Sequence, residues 1–341
     1  MHIPSMTIIL CFFMPLSSAC AAETPVFPTD ERDAIRKGLA YVEGKSLTWL
    51  RERKCASCHH VPMMVWAQRD ARLRGFAIDD KGLQEATEFL LAPDNRAGVL
   101  PNPGDPERAG NPYSLMAVYT TLAFREGGKE PEPAAQDIMK KAAAHVLSKQ
   151  DADGSWKRFE GRPPIMAAQE SATLLAEHSL GPQPKADDET ASNRTKTREW
   201  LTTNSSGESP QALSLRILID HERKASVEQL LKLQNADGGW SQTKEMASDA
   251  YATGQAIYAL VSRGGIDRSD PAIVKARDFL LKSQQPDGSW VMTSRPPNSG
   301  NGTTGAGNLE PITVASSAWA VLGLLQCTPP GVDDRAGGVK S

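Results

Sequence analysis

Gln150-Asp-Ala-Asp-Gly-Ser-Trp156, Gln234-Asn-Ala-Asp-Gly-Gly-Trp240 and Gln284-Gln-Pro-Asp-Gly-Ser-Trp290 are three copies of one pattern, Q-x-x-D-G-x-W. Each copy follows an amphipathic run with helical periodicity: IMKKAAAHVLSK (138–149), SVEQLLKL (226–233) and AIVKARDFLLKS (272–283). Each precedes, after a loop, a more apolar run: AAQESATLLAEHSL (167–180), SDAYATGQAIYALVS (248–262) and ITVASSAWAVLGLL (312–325). The Asp-Gly pair ends the first helix, because glycine takes positive φ at a helix terminus without steric cost. The tryptophan supplies a large apolar anchor between neighbouring hairpins. The glutamine is placed to hydrogen-bond an adjacent helix end.

Three further segments fit the same two-helix unit without its turn. DAIRKGLAYVE (33–43) leads to VPMMVWAQRDARLRG (61–75), and LQEATEFLLAP (83–93) leads to NPYSLMAVYTTLAFREGG (111–128). TKTREWLTT (195–203) leads to SPQALSLRILIDHERK (209–224). Units recurring at roughly 40–50 residues mark a repeat architecture. A lone helix pair cannot bury its apolar face, so the units must stack, as a closed ring or an open solenoid.

Six hairpins with Q-x-x-D-G-x-W turns resemble the α/α toroid of the squalene cyclase and prenyltransferase superfamily. The resemblance spans nearly all of the chain after its leader and implies an all-α fold. It implies an inner ring of second helices around a central cavity and an outer ring of first helices. In squalene–hopene cyclases a D-x-D-D cluster at the start of an inner helix protonates the substrate. The matching stretch here, Ala247-Ser-Asp249-Ala-Tyr251-Ala-Thr253, keeps one carboxylate. The Asp, Cys and His zinc ligands of protein prenyltransferases are also missing from the inner-helix starts. Glu170, Asp249, Tyr251 and Glu310 are the residues expected to line the cavity or, for the acids, to cap inner helices.

A second motif lies in the first hairpin. Cys55-Ala-Ser-Cys58-His59 reads C-x-x-C-H, the spacing of c-type haem attachment. Two thiols three positions apart can each add to a haem vinyl group, and the next histidine can supply the proximal iron ligand. One haem c on Cys55, Cys58 and His59 is therefore expected. Met116, Met166 and Met246, near other inner-helix starts, are candidate distal ligands. His60, Met63 and Met64 lie too close in sequence to reach the opposite face. A zinc site, a redox pair and a strained disulfide are competing readings of the cysteines.

The rest of the chain bounds the function. It has 341 residues, a formal net charge of −3 and 23% charged residues. Nucleic-acid binding is disfavoured, since phosphate recognition needs an excess of Lys and Arg. The apolar stretch Thr7–Leu16 followed by Ser17-Ser-Ala-Cys-Ala-Ala22 has the shape of a secretory signal peptide. Export to the periplasm, or otherwise out of the cytoplasm, is expected, with a lipid anchor at Cys20 the lesser alternative. No later apolar run reaches the ~20 residues of a membrane helix. The expected organisation is a signal peptide at 1–22, one toroid at 23–327 and a disordered tail at 328–341, with Cys327 a buried thiol. The combined expectation is an exported haem c protein taking part in electron transfer with an unidentified redox partner. A haem enzyme or sensor with an isoprenoid-like ligand, and a haem-free scaffold, are the alternatives.

Overall fold

The computed structural model describes residues 30–57, 60–100, 115–126, 131–157, 168–181, 188–204, 209–244, 246–292 and 309–328. The expected signal peptide and most of the expected tail therefore lie outside the described residues. Apart from an isolated bridge between Trp240 and Asp249, no β-structure occurs among the described residues. The first helices of the six hairpins are α1 (Glu31–Arg53), α3 (Asp80–Leu90), α5 (Pro133–Leu147), α7 (Asp188–Thr203), α9 (Arg223–Lys232) and α11 (Pro271–Ser283). Their partners are α2 (Val61–Leu73), α4 (Leu115–Arg125), α6 (Gln169–Leu180), α8 (Pro210–Leu218), α10 (Ala250–Ser262) and α12 (Glu310–Cys327).

Two elements differ from expectation. Helix α1 starts at Glu31, where the Asp30 side chain accepts from the Arg32 N–H, and runs on to Arg53. Helix α7 begins at Asp188, well before the expected start at Thr195. Its anchors are polar ones: Arg194 pairs with the buried Glu177 at 2.5 Å and donates to the Gly181 carbonyl at 2.6 Å.

Packing of the second helices runs α2–α4–α6–α8–α10–α12 and returns from α12 to α2, which closes the ring. The toroid is therefore closed, and the open solenoid is excluded. Inner helices are buried around their whole circumference, α6 and α12 almost residue for residue, whereas outer helices bury one stripe. This is why the inner segments read as apolar all round and the outer ones as amphipathic. Part of the interior is filled rather than hollow. Trp66 of α2, Tyr258 of α10 and Trp319 of α12 meet edge to face with centroids 5.2–5.9 Å apart. Helices α10 and α12 also cross at Gly254 and Gly323, where a Cβ at Gly254 would lie 2.3 Å from the Trp319 carbonyl oxygen.

The three Q-x-x-D-G-x-W turns form one repeated clamp. Trp156, Trp240 and Trp290 are buried, and their Nε1–H groups donate to Val146, Leu230 and Leu280 carbonyls at 2.7–2.8 Å. Gln150, Gln234 and Gln284 donate across to the next outer helix, at Asn193, Ala272 and Ala34. The last of these ties the final hairpin to the first. Gly288 has φ +88°, and a Cβ there would sit 2.3 Å from the Lys37 carbonyl oxygen. Only glycine lets the turn approach the backbone of α1 so closely.

Candidate functional site

The inner helices run in one sense, so their N-termini collect at one mouth of the ring. The starts of α4, α8, α10 and α12 keep a little exposure, with Met116, Gln211, Asp249 and Ile312 at 7–8%. This mouth gathers Asp249, Tyr251, Gln211, Gln242 and Glu170.

Asp249 is the N-cap of α10. Its Oδ1 accepts the Ala252 N–H at 2.9 Å, and its own N–H donates to the Trp240 carbonyl at 3.0 Å. The expected capping role is thus present. Burial nevertheless raises the carboxyl above the usual carboxylate range; hydrogen bonding from Ala252 and the neighbouring Gln242 and Tyr251 groups opposes this without cancelling it. The Oδ2 atom is buried, with the Gln242 amide beside it but no hydrogen bond of ordinary geometry.

The other expected cavity residues have different fates. Tyr251 is buried on α10, and its hydroxyl accepts from Gln211 Nε2 at 3.2 Å, linking the starts of α8 and α10. Glu170 is consumed by an ion pair: its Oε1 accepts from Nε and Nη2 of the buried Arg216 at 3.1 and 2.9 Å. Arg216 also donates to the Leu201 carbonyl, so the pair joins α6, α7 and α8. Glu310 is 39% exposed and bound to Lys45 at 2.9 Å, at the rim. Gln211, Gln242 and Arg216 belong to no motif, and the signal that marks them in sequence is a polar side chain in or beside an apolar inner segment.

Of the haem-motif residues, Cys58 and His59 lie outside the described residues. Cys55 is exposed on the short link between α1 and α2, flanked by Lys54 and Ser57 at positive φ. His60 stacks on Trp49 at 4.9 Å and meets Ser57 Oγ at 3.0 Å, and Met63 and Met64 are core residues of α2. Met116 is buried on the first turn of α4, Met246 is half-buried before α10, and Met166 lies outside the described residues. Among the described residues no group of three or more His, Cys, Asp and Glu is gathered to hold a metal ion. No described helix is long and apolar enough to cross a membrane. Cys327 is buried, and burial pushes its thiol up to about 12.

Residues 219–340 match the squalene-hopene cyclase C-terminal domain family. The chain is 27% identical over 215 residues to drimenyl diphosphate synthase of Streptantibioticus cattleyicolor, a match covering 63% of this chain and 32% of that protein. The chain thus spans about a third of that relative's length. Among solved structures, the type II terpene cyclase MstE from Scytonema, bound to its product merosterolic acid A, superposes with a TM-score of 0.55 at 13% identity. That likeness covers 88% of this chain and 97% of the cyclase. A polysaccharide lyase shares the fold at a TM-score of 0.53 and 11% identity, covering 91% of this chain and 99% of its own. These structural likenesses show the α/α toroid.

The matches correct the functional reading of the C-x-x-C-H pentapeptide. The sequence relative is named a drimenyl diphosphate synthase, and the matched family model is that of a squalene-hopene cyclase domain. These matches point away from electron transfer by a c-type cytochrome, from a haem enzyme or sensor and from a haem-free scaffold, and toward a cyclase-like protein.

Proposed function

We propose that the protein is a terpene-cyclase-like toroid that receives an isoprenoid chain at the N-terminal mouth of its inner ring, with Asp249 as the proton donor. The observation that carries this is the Asp249 carboxyl, buried, capped through Oδ1 and raised in pKa. One acid stands where a cluster is expected, and burial takes over the task of holding the proton that neighbouring carboxylates would otherwise share. The named relatives supply the substrate class: MstE has been captured with geranylgeranyl dihydroxybenzoate as substrate, and the bacterial synthase is named for drimenyl diphosphate.

In the proposed reaction, Oδ2–H protonates the terminal double bond of the isoprenoid. The π electrons form the new C–H bond and leave a tertiary cation and the Asp249 carboxylate. The next double bond attacks the cation to close a ring, and loss of a proton gives an isomer of the substrate. Solvent then reprotonates Asp249, so nothing besides a proton is exchanged. Burial keeps Asp249 protonated in the resting site but also makes it a weaker acid, so transfer to an alkene requires the double bond to be held against Oδ2 while the site stabilises the developing cation. Export, from the apolar leader, is part of the same proposal.

The test uses purified full-length protein with squalene or geranylgeranyl diphosphate, and products resolved by gas chromatography and mass spectrometry after dephosphorylation where needed. Wild type is expected to give cyclised isomers and Asp249→Asn none, with both variants sharing one circular-dichroism spectrum. Absence of any isomer from wild type, or equal turnover by Asp249→Asn, overturns the proposal.

A further inference from the structure

Three helices meet at Glu43. It lies on α1, its Oε2 accepts from Nε2 of the buried Gln68 of α2 at 2.8 Å, and its carboxyl is hydrogen-bonded to that of Asp79. Asp79 is the N-cap of α3. Its Oδ1 accepts the Lys81 N–H at 3.0 Å, and its carbonyl accepts the Leu83 N–H at 3.0 Å. The sequence leaves room for the carboxyl contact. Position 82, where a capping-box glutamate would sit, is glycine, and a Cβ there would lie 2.8 Å from Glu43 Oε1 and 3.1 Å from Asp79 Oδ2. A carboxyl from α1 therefore fills the place that the third residue of α3 leaves open.

Two carboxyl groups in hydrogen-bond contact need a proton between them, since two carboxylates offer acceptors only. One carboxylate suits the positive end of α3, but a second beside it repels the first. The nearby cations are already engaged: Glu85 of α3 holds Arg51 in two bonds at 3.0 and 2.6 Å, and Asp80 holds Arg72. Burial and Asp79 accordingly outweigh Gln68 and Arg51, and bring Glu43 to about 7. Glu43 is tied to Gln68 on the inner ring, so loss of the proton displaces Asp79 and with it the cap of α3. We infer that Glu43 and Asp79 hold one proton between them as a pH-operated latch. While the proton is shared, the first turn of α3 is locked to α1 and α2, and when it leaves, that turn opens. The latch is independent of what the ring mouth binds.

Hydrogen exchange of the full chain, read by mass spectrometry at pH 6 and pH 8 and corrected for the intrinsic rate, tests the latch. In wild type, protection of the peptide carrying Lys81 to Leu83 is expected to be about tenfold lower at pH 8, as a proton held near 7 is lost. A peptide from α11 should keep equal protection at both. Glu43→Gln, whose amide donates to Asp79 at either pH, is expected to hold the protected level throughout. Asp79→Asn, which keeps a capping oxygen and removes the repulsion, should do the same. Equal protection of wild type at both pH values, or a fall that survives Glu43→Gln, overturns the inference. A fall of the same size in α11 marks general loosening and overturns it as well.

Discussion

The backbone N–H of Asp249 donates to the carbonyl of Trp240 at 3.0 Å, and the Trp240 N–H donates to Thr253 Oγ1, one turn into α10, at 2.9 Å. The tryptophan that packs the fifth hairpin thus also fixes where α10 begins and where its capping acid points. Structural and candidate chemical roles meet in one residue pair. Trp240→Ala is expected to cost about 3–5 kcal/mol, as for other fully buried aromatic truncations. Urea unfolding followed by fluorescence and circular dichroism measures it. A cost below about 1 kcal/mol, the range of surface changes, would contradict the clamp.

Closure of the ring rests on the third clamp meeting α1. Gly288→Ala must accommodate both a positive φ and a Cβ 2.3 Å from the Lys37 carbonyl oxygen, whereas Gly265, with φ +73°, has open space around it. Gly265→Ala should cost about 1–2 kcal/mol for strain alone. The Gly288 variant should cost clearly more, and paired thermal melts compare them. Equal melting temperatures would show that the turn does not press on α1.

Arg216 and Glu170 make a buried ion pair between α8 and α6. Removing one partner strands a charge, so Arg216→Met is expected to cost about 3–5 kcal/mol. Adding Glu170→Leu to that variant should restore much of the loss. A double variant no more stable than the single one would contradict the pairing, as read by chemical denaturation.

Glu43 gives the clearest pH signature. Burial, then the neighbouring Asp79 carboxylate, raises it to about 7, and the Gln68 amide donates to it at 2.8 Å. Its pKa is higher folded than unfolded, so the folded state binds the extra proton. The associated stability is present at about pH 4–5 and lost as pH rises through 7. Glu43→Gln imitates the protonated form. It should raise the melting temperature at pH 8 relative to wild type by more than it does at pH 5. A pH-independent difference would contradict the shift.

The fold was largely legible because its signals are local and repeated. Periodicity placed both helices of all six hairpins, and the Q-x-x-D-G-x-W spacing marked three outer-helix ends. Helix α7 was only half visible, since its Arg194 anchors are ion pairs and carbonyl contacts rather than an apolar stripe. The site was less legible. Asp249 is found from its place before an apolar helix, but whether Glu170 is a free acid depends on Arg216, 46 positions away. Gln242 carries no motif at all, and its place beside Asp249 is visible only in the folded chain. The Cys55 pentapeptide shows the converse, a strong local pattern whose functional message the whole-chain likeness does not support.

The most direct test of proton donation by Asp249 is to run the isoprenoid reaction in D₂O. The Oδ2 proton exchanges with solvent, so protonation of the terminal alkene installs one deuterium and later loss of a substrate proton keeps it. The predicted product is a cyclised isomer one mass unit heavier than its substrate, formed by wild type and absent with Asp249→Asn. A cyclised product without deuterium, or no cyclised product from wild type, would contradict the account.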